Sequence, residues 1–347
     1  MLNRRHFSLL CGSALLGQTP ETAPLELDWH DARKFTVEGL GFKDRKSPYD
    51  RLPARAEGVV RDAVWNLSRD SAGVLVRFST NTPQLRARWT LTNKNLAGAN
   101  MTAIMASGLD LYVKTGPGAW RWLGIGRPAH FPDNNETHAT GIPKGDREYM
   151  LYLPLFNGVT SLEIGVPSGT PVTAGAPRPA GRKPILFYGT SITHGASASR
   201  SGMTHVAMLG RTFDRETINL GFSGNGRMEP EVTKFVAELD PAVFVLDCLP
   251  NMSAKDVTEK AAACVQILRD AHPSTPILLV EDRNYPDGFL LPTRREHNES
   301  NHAAMRAVYE SMQKAKVGNL HYLKGDDLLG DDGEATIAKL ESGSVRD

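Results

Sequence analysis

The sequence predicts an α/β chain in two parts, an antiparallel β-sandwich followed by a parallel sheet layered with helices. Two observations carry this. From about Leu25 to Pro167, short runs of alternating apolar and polar residues are broken by Gly, Pro and Asn, the period-two pattern of half-buried strands. After Pro184 the runs turn continuously apolar and alternate with longer helical stretches, the pattern of strands buried on both faces. The 347 residues carry 40 basic and 39 acidic side chains, a formal charge of +1, with 40% hydrophobic residues. These are globular values that exclude collagen, coiled coil and wholesale disorder, and the charge balance argues against a nucleic-acid binder working through a broad basic face.

The first residues, Arg4-Arg5-His6-Phe7-Ser8-Leu9-Leu10, place two arginines before an apolar run that ends near Gly17. The run is too short to span a bilayer, and the Arg-Arg-x-Phe-x-Leu order resembles a twin-arginine export signal. Residues 1–23 are therefore expected to be a signal peptide that sends the protein to the periplasm or outside the cell, with no membrane span after its removal. Of the three cysteines, Cys11 falls in this segment, and Cys248 and Cys264 read as two buried thiols, with a single bridge in an oxidising compartment as the alternative.

Residues 25–167 form the predicted sandwich. Its clearest strands are Gly73–Phe78, Leu85–Trp89 and Leu109–Val113, with a hairpin at Thr115-Gly116-Pro117-Gly118 and no helical segment expected. Trp65, Trp89, Trp120, Trp122 and Tyr112 could offer stacking surfaces to a sugar, but filling the core accounts for most of them. Residues 168–183, rich in Pro, Gly, Ala and Thr, read as a linker. From residue 184 to 347 five strands are expected, beginning at Pro184, Thr217, Val243, Pro276 and Asn319. The clearest helices between them run over Ser253–Ala271 and Thr293–Lys316.

In an open parallel sheet, ligands bind beyond the carboxyl ends of the strands. Three polar segments fall there in succession. Gly189-Thr190-Ser191 follows the first strand, where a serine at a helix start can present its hydroxyl near the positive helix end. Asn219-Leu220-Gly221-Phe222-Ser223-Gly224-Asn225-Gly226 follows the second, where glycines let backbone amides approach a ligand. Asp247 to Asn251 follows the third, where an Asn amide can donate to an oxyanion. Each alone is explained by a cap or a turn; three in order favour catalysis.

These blocks resemble those of the SGNH (GDSL-type) hydrolases, over about residues 183–336. Gly108-Leu109-Asp110-Leu111-Tyr112 also resembles the GxDLY signature of the domain that precedes one subgroup of such esterases. The resemblance implies a flavodoxin-like α/β/α domain and metal-free, cofactor-free hydrolysis of esters. It implies Ser191 as nucleophile, with the Ser191 and Gly224 amides and the Asn251 side chain as oxyanion donors. A small-molecule or carbohydrate ester would be the substrate.

The family completes its machinery with an Asp-x-x-His segment near the C-terminus, where the histidine takes the serine proton and the aspartate orients it. No Asp-x-x-His occurs in this chain, and after Thr336 it reads Ile337-Ala338-Lys339-Leu340-Glu341-Ser342. The expectation is a C-terminally truncated hydrolase domain of weak or no activity, or else a non-catalytic ester- or carbohydrate-binding relic of the fold. A nucleotide or flavin binder is the poorer third reading, since it would need neither the second nor the third block. No general base is assigned. Thr190, His194 and Asp326 are candidates to line the pocket. His205 is expected to pack or lie exposed, His297 and His302 to be solvated, and His321 to be half-buried.

Overall fold

The computed structural model describes residues 25–329 apart from Gly118 and Asp327. Residues 1–24, with the segment expected to be a signal peptide, and residues 330–347 lie outside the described residues. Two antiparallel sheets make up the first part. One holds β1 (Leu27–Asp31), β4 (Gln84–Leu91), β7 (Asp133–Thr140) and β9 (Val159–Pro167) in the order β1-β9-β4-β7. The other holds β3 (Leu75–Thr80), β5 (Leu109–Gly116), β6 (Ala119–Gly126), β8 (Arg147–Tyr152) and β10 (Val172–Ala174) in the order β10-β3-β8-β5-β6, with β2 (Thr36–Glu38) also on β3. Alternate residues of the two sheets, among them Val76, Phe78, Leu85, Ala87, Trp89, Leu111, Tyr149, Leu151 and Ile164, interdigitate as one apolar core. Trp89 is fully inside it, and its indole N–H donates to the Ser107 carbonyl.

Three features depart from the expectation. Two helices, α1 (Asp62–Ser68) and α2 (Ala103–Ser107), interrupt the strands. The stretch read as a linker contains β10, which extends a sandwich sheet by pairing Val172 with Thr80. And the segment around α1 does not join the sandwich core. Phe42, Leu52, Val60, Val64 and Trp65 pack in one cluster with Leu186, Leu220, Phe222 and Met228 of the following part. Val64 and Trp65 lie on α1 and Val60 just before its N-cap, and all three are buried in this cluster.

The second part is a five-stranded parallel sheet of β11 (Ile185–Gly189), β12 (Thr217–Gly221), β13 (Val243–Asp247), β14 (Ile277–Val280) and β15 (Leu320–Leu323), ordered β12-β11-β13-β14-β15. The helices between strands are α3 (Ser191–His194), α4 (His205–Thr212), α5 (Pro230–Val236), α6 (Ala254–Ala271) and α7 (Pro292–Lys314). This is the flavodoxin-like strand order, so the expected fold class holds. Helix α6 starts at a capping box in which Ser253 and Asp256 exchange hydrogen bonds. Along β11, Leu186 and Tyr188 face the core over α5 and α6, while Phe187 faces the opposite side with Val206, Val245 and Val280. On that side lies an apolar cavity of about 400 Å³ with His205 in its wall. Cys248 and Cys264 are buried free thiols.

The GxDLY motif sits on β5, and its polar members hold the second part. The Asp110 carboxylate accepts hydrogen bonds from the Gly202 N–H (2.8 Å) and the Trp122 indole (3.0 Å), and it pairs with Arg200 at 3.3 Å. The Tyr112 ring closes against Gly202, where an added Cβ would come within 2.4 Å of it. Leu109 and Leu111 fill the sandwich core. Among the described residues no helix is long and apolar enough to cross a membrane.

Candidate active site

In the sheet register, Gly189 of β11 stands level with Gly221 of β12 and with Asp247 of β13. The three polar segments therefore leave the sheet at one height and on neighbouring strands. Thr190 is the N-cap of α3, its side-chain oxygen accepting from the Ile192 N–H (3.3 Å). That cap makes Ser191 the first helical residue, whose own N–H has no intrahelical acceptor. The turn after Gly221 folds back over Gly189. The Phe222 N–H donates to the Gly189 carbonyl (2.9 Å), and a Cβ on Gly226 would lie 1.9 Å from that oxygen. Gly224 has φ +69° with open space where a Cβ would stand, so its glycine is required by backbone conformation rather than crowding.

Asn251 ends a single 3₁₀ turn after β13. Its amide is satisfied only with Oδ1 accepting from the N–H groups of Asn225 (3.0 Å) and Gly226 (3.3 Å). That orientation makes Nδ2 the donor end of the amide. Ser191, Ser223 and Asn251 line one cleft of about 430 Å³ together with Ile192, Ala196, Arg283, Tyr285 and Arg294. Asn100 and Met101 of the sandwich part complete its wall, and Asn100 Nδ2 donates to Ser197 Oγ (2.9 Å). Both parts of the chain thus shape the cleft, which the sequence alone did not reveal.

The remaining candidates do not enter it. Thr190 is fully buried by its capping role. His194 is also fully buried rather than pocket-lining. Its Nε2 lies 2.6 Å from the Leu155 carbonyl, which makes Nε2–H the donor, and its ring stacks on Phe156 at 4.0 Å. Burial, reinforced by the Arg51 guanidinium, holds its pKa well below the usual range, so it is neutral and turned away from Ser191. Asp326 is exposed and accepts from Asn284 Nδ2 at 3.3 Å, beside the cleft rather than in its lining. His302 is not solvated: it is buried, with Nε2 2.8 Å from the Asp282 carbonyl. His321, expected half-buried, is exposed. His205 packs edge-on against Phe187, and burial pulls it down to about 4. His297 is exposed, with its ring centroid 6.4 Å from that of Tyr285 in a stacked arrangement. Among the described residues no imidazole lines the cleft.

Two carboxylates near the strand ends are unusual. Asp247 accepts from Thr193 Oγ1 (2.8 Å), and burial pushes its pKa up to about 7. Asp70, just after α1, is likewise pushed up to about 7 by burial, against the pull of Arg51.

Fold and cleft together define an α/β/α protein of the hydrolase type with an antiparallel sandwich docked on it. The chain belongs to the GDSL-like lipase/acylhydrolase family, whose sequence profile matches residues 182–343, and residues 27–172 match the N-terminal domain of SGNH-hydrolase-type esterases. By family it is an ester hydrolase. A solved structure from Bacteroides ovatus described as a GDSL-like lipase is 33% identical, with a TM-score of 0.86, covering 91% of this chain and 94% of that one. A salicylyl-acyltransferase from a tetracycline biosynthetic pathway shares the fold at 21% identity and a TM-score of 0.69, covering 88% of this chain and 87% of that one. A family two carbohydrate esterase from Clostridium thermocellum, solved with cellohexaose, shares it at 12% identity and a TM-score of 0.53, covering 78% and 90%. No curated protein sequence matches the chain.

Proposed function

We propose that Ser191 is the nucleophile of a serine esterase. The Ser191 N–H, the Gly224 N–H and Asn251 Nδ2 are its oxyanion donors. In this reading Ser191 Oγ attacks the ester carbonyl carbon, the three donors receive the negative charge that forms on the carbonyl oxygen, and the alcohol departs with the proton. Water then releases the acyl group from the serine. The observation that supports this most is the orientation of Asn251, whose oxygen is held by two backbone N–H groups so that its nitrogen is the donor end, in a residue that lines the same cleft as Ser191. Donors fixed before the reaction need no reorganisation as charge develops.

The described residues alone supply slow hydrolysis, since no imidazole among them lines the cleft and serine is a weak nucleophile without a base. Oxyanion donors and binding alone retain roughly 10³–10⁴-fold catalysis over water in serine hydrolases stripped of triad members. The substrate class is an ester of a carbohydrate, in keeping with the named activity of the carbohydrate-esterase neighbours and with polar cleft groups such as Asn100, Ser197, Ser223 and Tyr285. Residues 25–167 act as a unit that walls this cleft, 168–183 connect it, and the part from 184 carries the chemistry. The Arg4-Arg5 segment directs export to the periplasm or beyond. A second reading, a binding protein that keeps the cleft without turnover, is favoured by the same absence of an imidazole.

A fluorophosphonate probe with mass spectrometry of the adduct, run on the wild type and on Ser191→Ala, tests the assignment. Labelling of Ser191 and slow p-nitrophenyl acetate hydrolysis, both abolished by the substitution, are expected. No adduct and no hydrolysis above the Ser191→Ala background would favour the binding protein. Hydrolysis at enzyme-like rates through Ser191 would overturn the low-turnover reading.

A further inference from the structure

Arg51 is contributed by the segment before α1, yet it is buried among the backbone of the second part, with 1% of its surface exposed. Its guanidinium meets four carbonyl acceptors, and Nη2 also lies 3.4 Å from His194 Nε2. Nη1 donates to Asn219 (3.1 Å) and Gly221 (2.7 Å), Nη2 to Leu67 (2.5 Å), and Nε to Asp70 (2.9 Å). It also lies 5.2 Å over the ring of Phe222. Burial lowers its pKa only to about 10, so it stays charged at neutral pH.

The two carbonyls on Nη1 are the informative ones. Strand β12 is at the edge of the parallel sheet, hydrogen-bonded to β11 on one side only. Asn219 and Gly221 are two residues apart, so their carbonyls project the same way, and they find in Arg51 the donor that a further strand would supply. Directly after them come Phe222, Ser223 and Gly224. The same strand end is tied to the nucleophile's helix. Asn219 Nδ2 donates to the Thr193 carbonyl (2.7 Å), and its Oδ1 accepts from the Gly221 N–H (2.9 Å). A Cβ on Gly221 would stand 2.2 Å from the His194 nitrogen.

We propose that Arg51 is a positioning residue for the ester-hydrolysing site: by clamping the end of β12 it sets the place of the Gly224 amide relative to Ser191. The proposal rests on the reading of those two residues given above. It makes the seating of the segment before α1 against β12 a condition of a formed oxyanion site.

The test uses the full chain with Arg51→Lys, which keeps the charge but loses the planar fork, and Arg51→Met, which keeps the volume alone. Backbone amide exchange over residues 219–226 reports positioning without any reference to catalysis. Faster exchange there, with α6 unchanged, is expected in both variants. In p-nitrophenyl acetate hydrolysis kcat should fall about tenfold or more while KM holds, as a small displacement of reacting groups predicts. Unchanged exchange over 219–226, or wild-type kcat in a folded variant, overturns the proposal. Should Arg51→Met fail to fold, Arg51→Lys decides. Ser191→Ala separates the two readings: hydrolysis surviving in it sinks the nucleophile assignment, while the exchange result still judges the clamp.

Discussion

Asn251→Asp is the most discriminating substitution at the cleft. Asparagine and aspartate have the same shape, and the two groups holding Asn251, the Asn225 and Gly226 N–H groups at 3.0 and 3.3 Å, donate to its oxygen. A carboxylate accepts both equally well, so the turn should stay in place. The substitution removes the outward donor and puts a negative charge where an oxyanion must form. Loss of one such donor costs roughly 3–4 kcal/mol of transition-state stabilisation, about 10²–10³ in kcat, and the repulsion adds to it. Asn251→Ala would confuse the issue, since two backbone N–H groups would lose their acceptor at about 1 kcal/mol or more each. The assay is p-nitrophenolate release with protein in excess over ester, so that a slow catalyst is still measured, alongside the thermal midpoint. A variant with unchanged melting and a rate at least a hundredfold lower is expected. Melting unchanged and a rate within threefold of wild type would refute Asn251 as an oxyanion donor.

Asp247 is buried beside Thr193 and feels both the Asp282 carboxylate and the Arg283 guanidinium. Its native pKa, raised to about 7 from an ordinary value near 4, means that the folded state binds the proton more tightly, so stability falls as pH rises from about 4 to about 7. Asp247→Asn should remove that part of the slope, seen as a stability advantage over wild type that grows across this window in urea titrations. Asp110→Ala should cost about 3–5 kcal/mol, because Arg200 and the Gly202 N–H lose a buried acceptor, and the denaturation midpoint checks it. Gly224→Ala, at φ +69° in open space, should cost only about 1–2 kcal/mol of left-handed strain, visible as a small drop in melting temperature. Asn100→Ala, at the cleft wall, should raise KM for a sugar ester and leave kcat in place, as steady-state kinetics on an acetylated oligosaccharide would report.

The parallel sheet was legible because a strand buried on both faces must be apolar throughout, as Ile185 to Tyr188 is. Gly189, Gly221 and Asp247 could be placed at its carboxyl edge for the same reason, and the register puts them level. The histidines were less legible. His194 stands three residues after Ser191, but residue type and spacing cannot say which side of a short helix faces a neighbouring part, and here that side meets Leu155 and Phe156. His302 looked solvated because α7 is polar along most of its length, yet its turn faces the Asp282 carbonyl. The helix at Asp62–Ser68 did leave a signal in the i,i+3 spacing of Val64 and Leu67, hidden by the strand patterns around it. Nothing local in Val172-Thr173-Ala174 announces that it extends a sheet, since its partner strand lies about ninety residues earlier.

The wedge formed by Phe42, Leu52, Val60, Val64 and Trp65 belongs, by packing, to the half of the molecule from which it is distant in the chain. A chimaera spliced between residues 172 and 182 would therefore hand its catalytic half a foreign plug, and the graft should succeed only when residues 42–67 travel with their host. For the same reason heating should melt both halves in a single calorimetric transition rather than two.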